Sequence, residues 1–243
     1  WAFTGKPLSI GGSLGRDTAT AQGGLYVLEA YLKQKSDTLQ GKKIVIQGAG
    51  NAGLNMIELI QKTGAILVGT SDSKTAIYDE SGLDIARIVA LKSGKKSLTE
   101  YIWAKHISNS ELLELTCDIL IPAALENQIT SENAHKVQAK LILELANGPI
   151  TPEADTVLFS AGIPVIPDIL ANAGWVTVSY FEQVQNNTNY FWSREEVQAK
   201  LKLKMEIALT WVLEMSQTKN VMLRTGAYVV AMKRILEAMK ARG

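Results

Sequence analysis

Three glycines at fixed spacing carry the most legible chemistry in this chain: Gly48-Ala49-Gly50-Asn51-Ala52-Gly53, a GxGxxG. Each glycine answers a separate need. The first allows a tight turn, the second lets backbone approach a pyrophosphate, and the third lets a following helix pack closely on the preceding strand. The pyrophosphate would sit on the helix N-terminus, where unpaired N–H groups and the helix dipole favour an anion. Such hexapeptides occur in unrelated loops, so context decides. Here the apolar run Lys43-Ile44-Val45-Ile46-Gln47 precedes the motif, and Met56, Ile57, Leu59 and Ile60 give the following helix an apolar face. Asp72 follows a second apolar run, 19 residues beyond Gly53. An acid there can accept both ribose hydroxyls of an adenosine. The expected cofactor is NAD or NADP. Asp72 suits a free 2′-hydroxyl, whereas its neighbours Ser71, Ser73 and Lys74 can donate to a 2′-phosphate, and the sequence leaves both open. A structural turn or a different nucleotide is the competing reading of the glycines.

Other reactive side chains are isolated. His106 and His135 lack the spacing of a metal pair or a neighbouring nucleophile, so no metal site is expected. Cys117 opens an apolar run and reads as a small buried hydrophobe. Glu126 and Glu144 fall near strand ends without a visible partner. Gly11-Gly12-Ser13-Leu14-Gly15-Arg16 is either a second anion-binding loop or a plain connector before a helix.

The elements that must hold these residues alternate. Apolar runs at 43–47, 65–69, 118–121, 141–145 and 164–167 are rich in β-branched residues and interleave with helix-like stretches. Continuously apolar strands suit a sheet covered on both faces, and strand–helix alternation suits parallel βαβ units. The fold class is therefore α/β: a doubly wound Rossmann-type, mostly parallel sheet flanked by helices. Thr151-Pro152-Glu153 should start a helix, with a capping hydroxyl, a proline at the first position and an acid at the positive dipole end. Beyond about residue 173 the strand signals stop and an all-helical C-terminal extension is expected. Two apolar stripes there, Leu201/Met205/Ala208/Val212/Met215 and Tyr228/Ala231/Ile235/Met239, predict buried helix faces. The expected division is a dinucleotide-binding domain with an N-terminal helix over 1–175 and the helical extension over 176–243.

Composition narrows the partners. The chain has 243 residues, of which 25 are Lys or Arg and 24 Asp or Glu, so a net charge of +1 provides no field for a nucleic-acid backbone or an anionic membrane. A single cysteine makes no internal disulfide, and no apolar run is long enough to span a bilayer, which points to the cytoplasm. The chain starts at Trp1 without methionine, so a piece of something longer is expected.

Taken together, the segments resemble the cofactor-binding domain of the glutamate dehydrogenase family, from Thr4-Gly5-Lys6-Pro7 to Arg234. The residues that carry the resemblance are Gly11 to Arg16 with Ala19-Thr20, Gln47 to Gly53, Ser71-Asp72-Ser73, and Cys117 to Ile129 with its Pro122-Ala123-Ala124-Leu125-Glu126-Asn127-Gln128 core. Ala146-Asn147-Gly148-Pro149 with Thr151 to Asp155, and Val165 to Gly174, complete it. Leucine, phenylalanine and valine dehydrogenases share the glycines but differ around the Pro-Ala-Ala-Leu-Glu-Asn-Gln stretch.

The resemblance implies roles that spacing does not. Arg16 and Thr20 would lie beside the nicotinamide, with Asn147 and Asn172 lining the same end. Gly48, Gly50, Asn51, Gly53, Asp72, Ser73 and Ala123 would hold the remainder of the cofactor. Ser179 would contact the side-chain carboxylate of L-glutamate, on the way to 2-oxoglutarate and ammonia. The family's catalytic lysine and aspartate belong to a preceding substrate domain, so these residues alone should bind a dinucleotide without turnover. Full-length relatives are typically homohexamers. A leucine-, phenylalanine- or valine-type dehydrogenase and a non-catalytic dinucleotide-binding module are the alternatives. Against the family pattern, Ala49 and Ala52 replace bulkier residues, Ala21 and Trp175 replace glycine, and Gln22 replaces an arginine or aromatic. Trp175 puts an indole beside Asn172, where it would crowd or cap the nicotinamide pocket.

Overall fold

The computed structural model describes residues 3–243. Its centre is a seven-stranded sheet in the order β4-β3-β2-β1-β5-β6-β7. The strands are β1 (Lys43–Gln47), β2 (Ile66–Ser71), β3 (Ala76–Tyr78), β4 (Lys105–Ile107), β5 (Cys117–Pro122), β6 (Ala139–Leu143) and β7 (Val165–Ile166). β1, β2, β5, β6 and β7 run parallel, matching the five apolar runs. β3 and β4 add an antiparallel edge that hydrophobic pattern does not announce. Each is three residues long, and β4 exposes Lys105 and His106, so neither offers a sustained apolar period.

Nine α-helices flank this sheet among the described residues: α1 (Ala19–Gln34), α2 (Asn51–Ile60), α3 (Ile85–Ser93), α4 (Asn109–Leu113), α5 (Pro152–Ser160), α6 (Asp168–Ala171), α7 (Gly174–Thr188), α8 (Arg194–Lys219) and α9 (Leu223–Arg242). The strands alternate their side chains between two cores. Ile44, Ile46, Ile119 and Ile121 join α1, α2, α3, α7 and α8 on one face. Val45, Leu120 and Ile142 join α4 and α5 on the other. That two-sided burial is why the strands read as continuously apolar.

Local signals behave as physics dictates. Thr151 caps α5, its Oγ1 accepting from Ala154 N at 3.3 Å, with Pro152 at the first helical position. Ser193 and Glu196 form a reciprocal capping box at the start of α8. The α8 stripe is buried at Leu201, Met205 and Val212. The α9 stripe is a correction: Tyr228, Ile235 and Met239 are all at least half exposed. α9 meets α8 through its first turns, where Gly226 sits against the backbone of Val212 and Ser216. The contact with α8 continues to Arg234, whose guanidinium lies 4.0 Å over Trp211, and Ala231 is half-buried, but Tyr228, Ile235 and Met239 point away from it.

One helix crossing matters for the site. A Cβ on Gly174, at the start of α7, would stand 2.0 Å from Ala19 O, and one on Gly23 would stand 2.8 Å from Gly174 Cα. Only a pair of glycines lets α1 and α7 touch this closely. The contact carries the segment that leads into α1, with Arg16, up to Ser179 on α7.

Candidate dinucleotide-binding site

β1 is the point where the chain's progress across the sheet reverses, with β2 on one side and β5 on the other. Ligands of open α/β sheets bind in the crevice beyond the strand ends at such a point. A cleft of 610 Å³ lies there, walled by the Gly48–Asn51 turn, Ser71 to Ser73, Lys92, Asn109 and Ala123 to Leu125.

The first and third glycines make the tight turn and the close helix packing that the spacing implied, and the second borders open space. Gly48 has φ +94°, and its N–H donates to Ser71 Oγ at 3.1 Å. Gly50 caps α2 with an extended backbone and no side-chain cap, and a Cβ there would meet nothing within 4 Å. A Cβ on Gly53 would stand 1.8 Å from Gly48 O, so the start of α2 packs directly on the turn. The result is a helix N-terminus with uncapped donors facing open space, a cradle that any larger residue at position 50 would fill. Ala49 is buried, and Ala123 N donates to Gln47 O at 2.8 Å, fixing the β5 wall.

Asp72 stands in the cleft and is already engaged by its own loop. Its Oδ1 accepts from Lys74 N and Thr75 N at 2.9 and 3.2 Å. Its Oδ2 accepts from Lys92 Nζ, Ser97 Oγ and Leu98 N at 3.0, 3.1 and 2.8 Å. Five donors use up the acceptor capacity of a carboxylate, so none is left for two ribose hydroxyls in this arrangement. Burial alone would raise the acid, but the bonds from Leu98 N, Lys74 N, Lys92 and Thr75 N outweigh it and hold the group at about 2. Asp72 anchors the loop while lining the cleft beside Ser71, Ser73, Lys92 and Asn109, whose Nδ2 donates to Asp72 O at 3.2 Å. Sequence reasoning missed Lys92 and Asn109, which are 20 and 37 residues from Asp72.

The residues expected at the nicotinamide end do not line that cleft and lie on or beside α1, α6 and α7 and in the loop after β6. Asn51 Nδ2 and Asn55 Nδ2 lie 3.5 and 3.4 Å from Asp17 O, joining the α2 N-terminus to the segment that bears Arg16. Arg16 Nε donates to Ser179 Oγ at 3.1 Å, and Ser179 Oγ donates onward to Trp175 O at 2.9 Å. Glu182, fully buried one turn further along α7, lies 3.8 Å from Arg16 Nε and accepts from Gly5 N, Lys6 N and Lys6 Nζ. Burial pushes the Glu182 carboxyl up, but Lys6 and the two backbone N–H groups prevail and hold it below the usual carboxylate range. Trp175 lays its ring 4.1 Å from the Arg16 guanidinium. The indole therefore stacks on the arginine. Thr20 is half-buried in the first turn of α1. Asn172 Nδ2 donates to Asn147 Oδ1 at 2.7 Å, so these two expected residues form one pair.

The remaining candidates separate cleanly. His106 Nε2 is 2.8 Å from Tyr101 O on the antiparallel edge, and Cys117 is buried, which pushes its thiol up to about 12. Among the described residues no group of three His, Cys, Asp or Glu side chains can hold a metal ion. No described helix is long and apolar enough to cross a membrane. Glu126 is exposed. Glu144, expected to lack a partner, is instead fully buried against Arg224.

A doubly wound dinucleotide-type fold with a glycine turn at its switch point is the class that this architecture defines. The family model for Glutamate/Leucine/Phenylalanine/Valine dehydrogenase matches residues 11–243, and the chain belongs to that family. A curated relative, the NAD-specific glutamate dehydrogenase of Staphylococcus aureus strain COL, is 47% identical over 241 residues, covering 99% of this chain and 58% of its own length. Among solved structures, the hetero-hexameric glutamate dehydrogenase of Thermus thermophilus in a Leu-bound form superposes with TM-score 0.90 at 33% identity, covering 99% of this chain and 57% of that one. Glutamate dehydrogenase from Peptoniphilus asaccharolyticus gives 0.86 at 38% identity, with the same coverage. The chain thus spans little more than half the length of the relatives it matches.

Proposed function

We propose that these residues form the cofactor lobe of an NAD-dependent glutamate dehydrogenase, with 1–175 as the dinucleotide-binding unit and 176–243 as a helical extension that packs back toward a substrate lobe. The observation that carries the reading is the open, uncapped N-terminus of α2 behind the Gly48–Gly53 turn at the switch point of the sheet. Gly48, Gly50, Asn51, Gly53 and Ala123 would hold the diphosphate, Asp72 would fix the loop that bears Ser73 beside the ribose, and Arg16, Thr20, Asn147 and Asn172 would surround the nicotinamide. When bound, NAD accepts a hydride from the substrate carbon. The chain's own part is to hold that ring still and to keep water from it. The Arg16–Ser179 pair is suited to a carboxylate. Burying a charged substrate group without such donors would be costly, which favours glutamate over an aliphatic amino acid.

NAD in preference to NADP is supported by the named specificity of the Staphylococcus aureus relative. Assembly as a hexamer and a cytoplasmic location belong to the same reading; a hexamer is named for the Thermus thermophilus neighbour. Calorimetric titration of the chain with NADH and with NADPH tests the cofactor. Binding of NADH in preference supports the proposal, tighter NADPH reverses the specificity, and silence with both overturns the dinucleotide reading. Glutamate-dependent reduction of NAD by the full-length protein tests the reaction, and faster turnover of leucine would move the chain to the aliphatic branch of the family.

A further inference from the structure

Far from the glycine turn, one arginine ties three elements together. Arg224 stands in the first turn of α9 and spends all three of its nitrogens on carboxylates. Nε donates to Asp155 Oδ2 on α5 at 2.7 Å, Nη1 to Asp168 Oδ1 on α6 at 3.1 Å, and Nη2 to Glu144 Oε1 at the end of β6 at 2.7 Å. Glu144 is wholly buried and the arginine side chain is 19% exposed. Ions so far from water persist only when their remaining lone pairs and protons are also matched. What matches them here leads towards the cofactor.

The second oxygens of two of these carboxylates reach backbone. Glu144 Oε2 accepts from Asp168 N at 2.7 Å, and Asp168 Oδ2 accepts from Gly148 N at 2.8 Å. Gly148 directly follows Asn147. Asn172 N donates to Asp168 O at 3.0 Å, and its side chain donates to Asn147. An unbroken set of hydrogen bonds therefore runs from the C-terminal helix, through Asp168 and Glu144, to both asparagines. None of it passes through the Gly48–Gly53 turn.

We infer that Arg224 is a positioning residue: it sets the Asn147–Asn172 pair from the C-terminal helix, so that the nicotinamide end of the site is ordered separately from the diphosphate end. The inference rests on the dinucleotide reading for its ligand but not for its coupling. Lysine at position 224 keeps a charge yet has one nitrogen and no fork, so it cannot reach three carboxylates at once. The Asn147 loop would lose its tether while the glycine turn keeps every contact it has.

Two variants of the chain test this, Arg224→Lys and Asp168→Asn, each titrated with NADH and with ADP-ribose, which lacks the nicotinamide. Loss of a buried hydrogen-bond partner should weaken NADH about tenfold and leave ADP-ribose within about twofold. A merely destabilised fold would weaken both. Hydrogen exchange read without ligand gives the second arm. The Gly148 and Asp168 amides should exchange at least about tenfold faster in Arg224→Lys, while the Ala123 amide on the β5 wall keeps its rate. Parallel loss of both ligands, or Gly148 exchange unchanged from wild type, overturns the inference. If wild-type chain binds neither ligand, the dinucleotide reading fails, and the exchange rates still decide whether Arg224 governs the Asn147 loop.

Discussion

Gly50 and Gly53 lie three residues apart in one motif, yet the structure gives them opposite sensitivities. A methyl group on Gly50 meets no heavy atom within 4 Å, and its φ of −80° and ψ of −165° suit alanine. Glycine is the better helix cap by ~0.5–1 kcal/mol, and alanine recovers ~0.4–1 kcal/mol by restricting the unfolded chain. Gly50→Ala should therefore melt within a degree or two of wild type. If the diphosphate sits on this turn as proposed, the same methyl group would hold it off the α2 donors. Losing one hydrogen bond to a charged group costs about 1.5–3 kcal/mol, a drop of roughly ten- to a hundredfold in affinity. Gly53→Ala is the reverse. Its Cβ would fall 1.8 Å from Gly48 O and 2.9 Å from Gly48 C, so backbone must move by more than an ångström. Overpacking of that kind costs about 3 kcal/mol, roughly 6–12 °C in melting temperature at this chain length. Thermal melts and NADH titrations of both variants read the two effects separately. Full NADH affinity in a folded Gly50→Ala chain would refute the placement of the diphosphate on this turn, and equal destabilisation by the two substitutions would refute the packing argument.

Two acids, half-buried Asp72 and buried Glu144, should shape stability in opposite directions along the pH scale. Asp72, held at about 2 against an ordinary 3.8, contributes its stability above pH 3.8 and loses it as pH falls through 2, an effect of about 2 kcal/mol; Asp72→Asn should remove that acid-side slope in melts run from pH 2 to 5. Glu144 is raised from 4.5 to about 7, by burial first and against the pull of Arg224. The unfolded chain then gives up this proton before the folded one, so stability should fall as pH rises from 4.5 to 7. Glu144→Gln should flatten that interval, and an unchanged slope would count against Glu144 as its source. Trp175→Leu should cost about 0.5–1 kcal/mol by unstacking Arg16, and the cost should vanish in an Arg16→Ala background; additive effects in that double-mutant cycle would show that the stacking contributes nothing.

How much of this was readable beforehand depends on the range of the interaction. The five parallel strands, the glycine turn and the α5 cap announce themselves because each is written in consecutive residues, whose period or spacing is itself the physical requirement. The antiparallel edge is not, since Lys105-His106-Ile107 is too short and too polar to show a period. Asp72 falls at the expected place, but its engagement depends on Lys92 and Leu98, which only the fold brings near. Arg16 and Ser179 are 163 residues apart, and Arg224 and Glu144 are 80. No local pattern could pair them. Resemblance named Arg16 and Ser179 separately without pairing them, and nothing in the sequence signalled the second pair.

The α9 stripe shows the same limit from the other side. Periodicity identified Tyr228, Ile235 and Met239 as one face of a helix, and the helix is there. Period fixes the direction in which apolar side chains point, whereas burial needs a second surface, which must be supplied by other residues. α9 is nevertheless anchored at its start, by Arg224 in the sheet edge and by Gly226 against α8. The helix is therefore anchored at its start and held against α8 as far as Arg234, which lies 4.0 Å over Trp211, while Tyr228, Ile235 and Met239 stay exposed.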